Sequence, residues 1–282
     1  MFPDEMLEAI AKRPVCYCAY GLAEPHGNYN ALGLDWIKAQ TLVERAAQMH
    51  GGVVAPPVAW HIAERPFFDF FGSCGIKQSL CSSIPEDLFF RMLLYQIRAL
   101  DARGFRVGIL ITGHYGGLED DMRLLADYYI RRTGSPIQLA ALADWEVIRF
   151  ENYHGDHAGI CETSQLMALR PDLVDLKRRE NSSGSGPWAG HGFPTPDGRM
   201  PSEKIGQNIL DSQIKELGKL QRKLLKSYKR KKNWKAPSLT DVEGIWARFE
   251  KLTRKYWVCS RTWEQYKNKQ IAPFPGWEAL GE

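Results

Sequence analysis

The stretch Val15-Cys-Tyr-Cys-Ala-Tyr-Gly21-Leu-Ala-Glu-Pro-His-Gly-Asn-Tyr-Asn-Ala-Leu-Gly-Leu-Asp35 decides how the rest of the chain is read. Val15 to Tyr20 is apolar and strand-like, and a helical pattern begins near Trp36. The glycine-punctuated loop between them carries Glu24 and His26 and leads to Asp35. In an open α/β sheet, ligands bind where strands end, and carboxylates with imidazoles suit a hard or borderline divalent metal. Glu24 and His26, two residues apart in an extended segment, point the same way. A plainer reading is a polar loop whose Asp35 caps the next helix. The downstream stretches decide between the two.

A chain of 282 residues can bury one large core, with or without an extension. Its 44% hydrophobic and 25% charged residues are ordinary for a globular protein, and a net charge of +4 gives no case for nucleic acid. No apolar run approaches the roughly 20 residues of a membrane span. The start, Met1-Phe-Pro-Asp-Glu-Met6, lacks the basic and apolar regions of a signal peptide. Cys16, Cys18, Cys74, Cys81, Cys161 and Cys259 are too dispersed for a disulfide framework or zinc knuckle. Cys16 and Cys18 alternate as strand residues and read as small buried hydrophobes. A reduced, cytoplasmic protein is expected.

Working outward, residues 4–12 read as a short amphipathic helix, and Val53-Val-Ala55 as a short strand stopped by Pro56-Pro57. From Ala59 to Ser83 no period is visible. The segment holds Phe67, Phe68, Phe70, Phe71 and His61, the last read as a surface or packed histidine. Pro85 to Arg103 is a predicted helix, and the apolar run Arg106–Thr112 reads as a buried parallel strand. That run ends in Gly113-His-Tyr-Gly-Gly117, a second loop with a histidine at its tip. Ile137–Ala143 is a fourth strand, followed by Asp144-Trp145. Tyr153-His-Gly-Asp-His-Ala-Gly-Ile-Cys-Glu-Thr-Ser164 then places His154, Asp156, His157 and Glu162 in one stretch. Residues 180–201, with Trp188, His191 and Phe193, read as a loop. Ile205–Lys231 is a long helix whose basic end (Lys226, Lys229, Arg230, Lys231, Lys232) reads as cations opposing the helix dipole. Residues 233–282, with five of the nine tryptophans, read as a helical extension docked on the body or on a neighbouring subunit.

Three separate loops thus supply ligand-type residues, and the chain resembles the creatininase (creatinine amidohydrolase) family. The matching stretches are Gly21-Leu-Ala-Glu-Pro-His-Gly27 with Asp35, Gly113-His-Tyr115, and His157-Ala-Gly-Ile-Cys-Glu-Thr-Ser164. The run Ala168-Leu-Arg-Pro-Asp-Leu-Val-Asp-Leu176 agrees as well. The resemblance covers residues 10–225 and implies a three-layer α/β/α fold with a small, mainly parallel sheet, followed by the helical C-terminal extension. The expected division is a domain over 1–232 and an extension over 233–282. It further implies two divalent metal ions per chain (zinc and/or manganese, with iron as an option) and a homo-oligomer, usually a hexamer. Glu24, Asp35 and His114 would hold one ion, and His26 and Asp35 the other. Gly116 stands where creatininase has a second-motif glutamate, and Glu162 is the substitute expected for the second ion. His157 matches the family's acid–base histidine, with Asp156 beside it to orient the ring. Trp145 matches an aromatic pocket residue of the family, and Tyr115 is expected to bind substrate with it. Tyr153 and His154 replace a Trp-Asp pair that contacts creatinine, which argues against creatinine as the substrate.

The expected function is hydrolysis of a small cyclic amide or other C–N bond by a dinuclear metal-activated water. The alternatives are hydrolytic opening of a cyclic ketone or lactone, such as an inositol-derived diketone, and a non-catalytic oligomeric scaffold. The partner expected is a small-molecule substrate, with no membrane and no nucleic acid.

Overall fold

A computed structural model describes residues 1–62, 80–148, 155–181, 198–260, 265 and 273–282. Phe67, Phe68, Phe70, Phe71, Cys74, Tyr153, His154, Trp188, His191 and Phe193 lie outside the described residues.

Among the described residues four parallel strands form the sheet: β1 (Val15–Tyr20), β2 (Val53–Val54), β3 (Val107–Thr112) and β4 (Gln138–Ala143). Their spatial order is β2-β1-β3-β4. Cys16 pairs with Val53 on one side and Gly108 on the other, and Ile109 pairs with Ala140. The chain goes from β1 to β2 on one side and then returns across β1 to β3. The topological switch therefore falls between β1 and β3, and the crevice beyond their C-terminal ends is where a ligand site belongs.

Strand alternation divides the interior into two cores. Cys16, Cys18, Tyr20 and Leu110 face one of them, as small or apolar buried residues. Against them pack α3 (Glu86–Ala102), through Phe89, Leu93 and Ile97, and α4 (Leu118–Thr133), through Met122 and Leu125. Val15, Tyr17, Ala19, Ile109 and Ile111 face the other core. There α2 (Leu34–His50) contributes Ala39, Leu42 and Val43, and α6 (Glu203–Ser227) contributes Ile214 and Leu217. A short α1 (Pro3–Lys12) precedes the sheet, and α5 (Ile160–Leu169) lies against α6. The α5–α6 approach needs Gly206, because a Cβ there would come within 1.9 Å of the Ser164 carbonyl oxygen.

Described residues of the last fifty are part of this interior. Val242, Trp246 and Phe249 of α7 (Leu239–Thr253), with Trp257, Cys259 and Trp277, join the core on the α3/α4 face. Phe249 and Trp257 stack at 6.0 Å, and Tyr128 of α4 lies 4.8 Å from Trp277. Asp121, in α4, accepts from the Val258 and Cys259 amides at 3.0 Å each, fixing the chain beyond α7.

Two sequence expectations change. The long helix ends at Ser227, so Lys229 to Lys232 lie beyond it and do not oppose its dipole. Arg230, Lys231 and Lys232 instead rim a cleft of about 970 Å³ with Arg98 and Trp234, where Gly104 and Pro136 mark the N-terminal ends of β3 and β4. Asp35 sits inside the first turn of α2, after Gly33, and makes no side-chain cap. No described helix is long and apolar enough to cross a membrane.

Candidate metal centre

Each ligand-type residue expected from the three motifs is set by a turn at the switch point. Glu24 and His26 lie in the loop after β1. The Glu24 amide donates to the Leu32 carbonyl at 2.8 Å, and Asn30 Nδ2 donates to the His26 carbonyl at 3.0 Å, closing that loop on itself. Asp35 comes from the first turn of α2 and His114 from the turn after β3. Gly113 makes their meeting possible, since a Cβ there would lie 2.1 Å from the Asp35 carbonyl oxygen. The third motif is pinned to the first by Tyr29, whose hydroxyl donates to the Ala158 carbonyl at 2.7 Å. Ala158 has φ +52°, a left-handed conformation that non-glycine residues seldom take. In this loop its amide donates to Glu162 Oε2 at 2.9 Å.

The five side chains Glu24, His26, Asp35, His114 and Glu162 converge, and each is at most 4% exposed. Two ligand triads share Asp35: Glu24, Asp35 and His114, and His26, Asp35 and Glu162. Asp35 Oδ1 lies 3.1 Å from His26 Nε2, and Asp35 Oδ2 lies 3.4 Å from His114 Nδ1. Neither Asp35 oxygen has an aligned hydrogen-bond donor despite those short distances. Buried carboxylate oxygens are normally satisfied, so a carboxylate with one open oxygen toward each triad fits a bridging ligand. His26 fits as well: its Nδ1 lies 2.9 Å from the Glu24 carbonyl, which leaves Nε2 to face the carboxylates. The residues present therefore suit a pair of divalent cations.

The electrostatics say the same. Burial disfavours charge on His26, but Asp35 and Glu162 outweigh it and pull its pKa up to about 10. Burial likewise opposes a charged His114, yet Glu24 and Asp35 raise it well above the usual histidine range. Burial pushes Asp35 up, and His26 and His114 more than reverse this, holding it well below the usual carboxylate range. So many buried carboxylates demand positive charge, and without a metal the imidazoles must supply it.

His157 also reaches this pocket, which has a volume of about 180 Å³ and is lined in addition by Tyr115 and Asp156. Its Nε2 lies 2.9 Å from the Pro25 carbonyl, and its ring is 4.4 Å from that of His26. Trp145 stands edge-on to Tyr115 at 6.4 Å. Asp156 was expected to orient His157, but its carboxylate is used otherwise: Oδ2 accepts from the Cys161 amide at 2.8 Å and Oδ1 from the Glu162 amide at 3.1 Å. It thus satisfies the first amides of α5. Gly159 serves that cap, because a Cβ there would lie 2.2 Å from Asp156 Oδ2.

Of two further buried residues of this region, Lys38 escaped the sequence reading, and His61 was read only as a surface or packed histidine. Lys38 lies beneath the site, 1% exposed, against Glu162 and Asp144. His61, with no exposed surface, packs edge-on to His114 at 5.7 Å and lies 3.3 Å from Thr112 Oγ1. Burial, then the charge of His114, pushes His61 down to about 3, so it stays a neutral packing residue behind the ligand. Lys38 follows Asp35 by three residues and therefore shares its helix face, a signal present in the sequence. His61 came from an aperiodic stretch, and of the two readings given to it the packed one holds.

A parallel α/β/α fold whose switch point gathers buried carboxylates and imidazoles around one shared aspartate defines a class of metal-binding α/β proteins. The model of the creatininase family (creatinine amidohydrolase) matches residues 2–220. The chain belongs to the creatininase family. It is 25% identical over 180 residues to a creatinine amidohydrolase of Pseudomonas putida, a match spanning 56% of this chain and 65% of that protein. Among solved structures, a mutant creatininase complexed with creatine superposes with a TM-score of 0.63 at 23% identity, covering 79% of this chain and 96% of the other. A manganese creatininase gives 0.61 at 22% identity, covering 79% and 96%. A mutant creatininase of Zn-Zn type gives 0.62 at 22%, covering 79% and 95%.

Proposed function

We propose that this chain is a metal-dependent hydrolase that opens a small cyclic amide, or cuts another small C–N bond, at a centre of two divalent ions. The observation that carries the reading is Asp35, with one open oxygen turned toward each of two ligand triads. In this reading Glu24, Asp35 and His114 hold one ion, and His26, Asp35 and Glu162 the other. Bound there, the ions supply a Lewis acid for a carbonyl and an acidified water. The manganese, zinc and creatine of the related structures support this choice of metals and of a small ligand.

His157 is assigned the proton transfers. Its Nε2–H donates to Pro25, which makes Nδ1 the basic nitrogen. Burial lowers its pKa, so the ring is neutral and can accept a proton. It takes the proton of the attacking water and returns it to the leaving nitrogen. Tyr115 is the aromatic residue that lines the pocket, with Trp145 edge-on to it. The proposal includes a homo-oligomer, as the family resemblance implies.

The test is metal analysis of purified, dialysed protein, followed by a screen of cyclic amides, formamides and cyclic polyol ketones in parallel. About two ions per chain and turnover of a C–N substrate are expected. A folded protein that takes up neither zinc nor manganese overturns the metal reading. Turnover of the ketones alone moves the reaction to ring opening at a carbon–carbon bond.

A further inference from the structure

Lys38 stands out among the described lysines and arginines because it is buried. Its ammonium contacts Glu162 Oε1, lies 3.4 Å from Asp144 Oδ1, and sits 4.5 Å from the centre of the Tyr115 ring. The Tyr115 hydroxyl lies 2.7 Å from the same Glu162 oxygen. The other oxygen, Oε2, accepts from the Ala158 amide at 2.9 Å and lies 3.4 Å from His26 Nε2. A carboxylate has about four lone-pair positions. Lys38 takes one position of Oε1 and Ala158 one of Oε2, while the Tyr115 hydroxyl, whose one proton also has the Asp156 carbonyl at 2.7 Å, stands against the rest of Oε1. The open side of Oε2 faces His26.

Asp144 competes for the same ammonium. Its Oδ2 is 3.2 Å from Gln165 Nε2 and 3.3 Å from Gln213 Nε2, and Gln213 also donates to its backbone carbonyl at 2.9 Å. Asp144 Oδ1 has no aligned donor and faces Lys38 at ion-pair distance. One buried positive charge is thus divided between a carboxylate that faces the metal pocket and one that does not.

We infer that Lys38 sets the affinity of the second metal position, by restricting Glu162 to one coordinating oxygen and offsetting part of its charge, while Asp144 draws the ammonium away. This rests on the dinuclear reading above. Its consequence is an unequal pair of positions. Among the described residues no buried lysine contacts Glu24, so the position with Glu24 binds more tightly, and the one with Glu162 binds more weakly and exchanges faster. Lys38 touches neither substrate nor metal, so it is a positioning residue.

The experiment is titration of metal-free protein with Zn²⁺ against a chromophoric chelator, for wild type, Lys38→Met and Asp144→Asn. Lys38→Met should raise the weaker affinity by about tenfold or more and leave the stronger one unchanged, because a full charge opposing a divalent ion in a poorly screened interior has been removed. Asp144→Asn should lower the weaker affinity, because the ammonium then belongs to Glu162 alone. A merely structural ion pair would weaken binding in both variants. Lys38→Met leaves two buried carboxylates without their cation, so the double variant Lys38→Met/Asp144→Asn guards against misfolding and should also bind the second ion more tightly than wild type. Opposite signs in the two single variants support the inference. Loss in both, or no change in either while wild type binds two ions, overturns it and spares the dinuclear reading. A wild type that binds no zinc takes down both.

Discussion

Two aspartates of this molecule are buried to nearly the same extent and behave in opposite ways. Asp35, in the ligand cluster, is 1% exposed, and Asp121, in the region that fixes the C-terminal residues, is 2% exposed. Burial pushes Asp121 up to about 7, and the Val258 and Cys259 amides only moderate that rise. Burial acts on Asp35 in the same direction, but His26 and His114 more than reverse it. Asp121 has both oxygens satisfied by backbone amides, whereas neither Asp35 oxygen has an aligned donor. The difference separates a carboxylate that holds a chain in place from one arranged to receive a cation. Burial alone cannot make that distinction; the partners make it.

The largest effect is expected at the shared ligand. Asp35→Ala should bring both metal occupancies close to zero and abolish turnover while circular dichroism stays native. Retention of one ion at full occupancy would show that Asp35 does not bridge. Next comes His157→Ala, which should keep both ions and lower turnover by roughly 10²–10⁴-fold. Loss of metal in that variant makes His157 a ligand, and unchanged turnover makes it a packing residue against His26. Glu162→Ala should remove mainly one ion, taking the metal content from about two to about one. Two ions retained would mean that another group replaces the glutamate missing at Gly116.

The smallest effect tests the other half of the comparison. Asp121 has a folded pKa of about 7, above the usual aspartate value. The stability contributed by its neutral form is fully present below the unfolded pKa and is lost as pH rises through about 7. Asp121→Asn removes that titration. The Tm of the variant minus that of wild type, both metal-free, should therefore grow more positive between pH 4 and pH 7. A pH-independent difference would show that the amides of Val258 and Cys259 fully compensate the buried charge.

Much of the fold was legible because parallel strands buried on both faces give short, apolar, bounded runs. Val15–Tyr20 is an instance: its alternating residues face two cores, so every position is buried. The ligand-type residues were legible because they lie in glycine-bounded loops beside those runs, where polar residues stand out. Asp156 was misread because a carboxylate next to a histidine looks the same in sequence whether it orients the ring or caps the helix that follows. The end of α6 was misplaced because Tyr228 continues the helical spacing, although the helix stops at Ser227.

By itself, then, the sequence determined the family, the parallel sheet and the set of titratable residues on its C-terminal rim, since these are written in local patterns and motif order. Only the tertiary structure decided which oxygen faces which nitrogen, that Lys38 backs Glu162, and that Val242, Trp246, Phe249, Trp257 and Trp277 share the α3/α4 core. Those facts depend on contacts between residues more than a hundred positions apart, such as Lys38 with Glu162 and Asp121 with Cys259. Their geometry is set by helix packing and by close backbone approaches at Gly113 and Gly206, which no local pattern encodes.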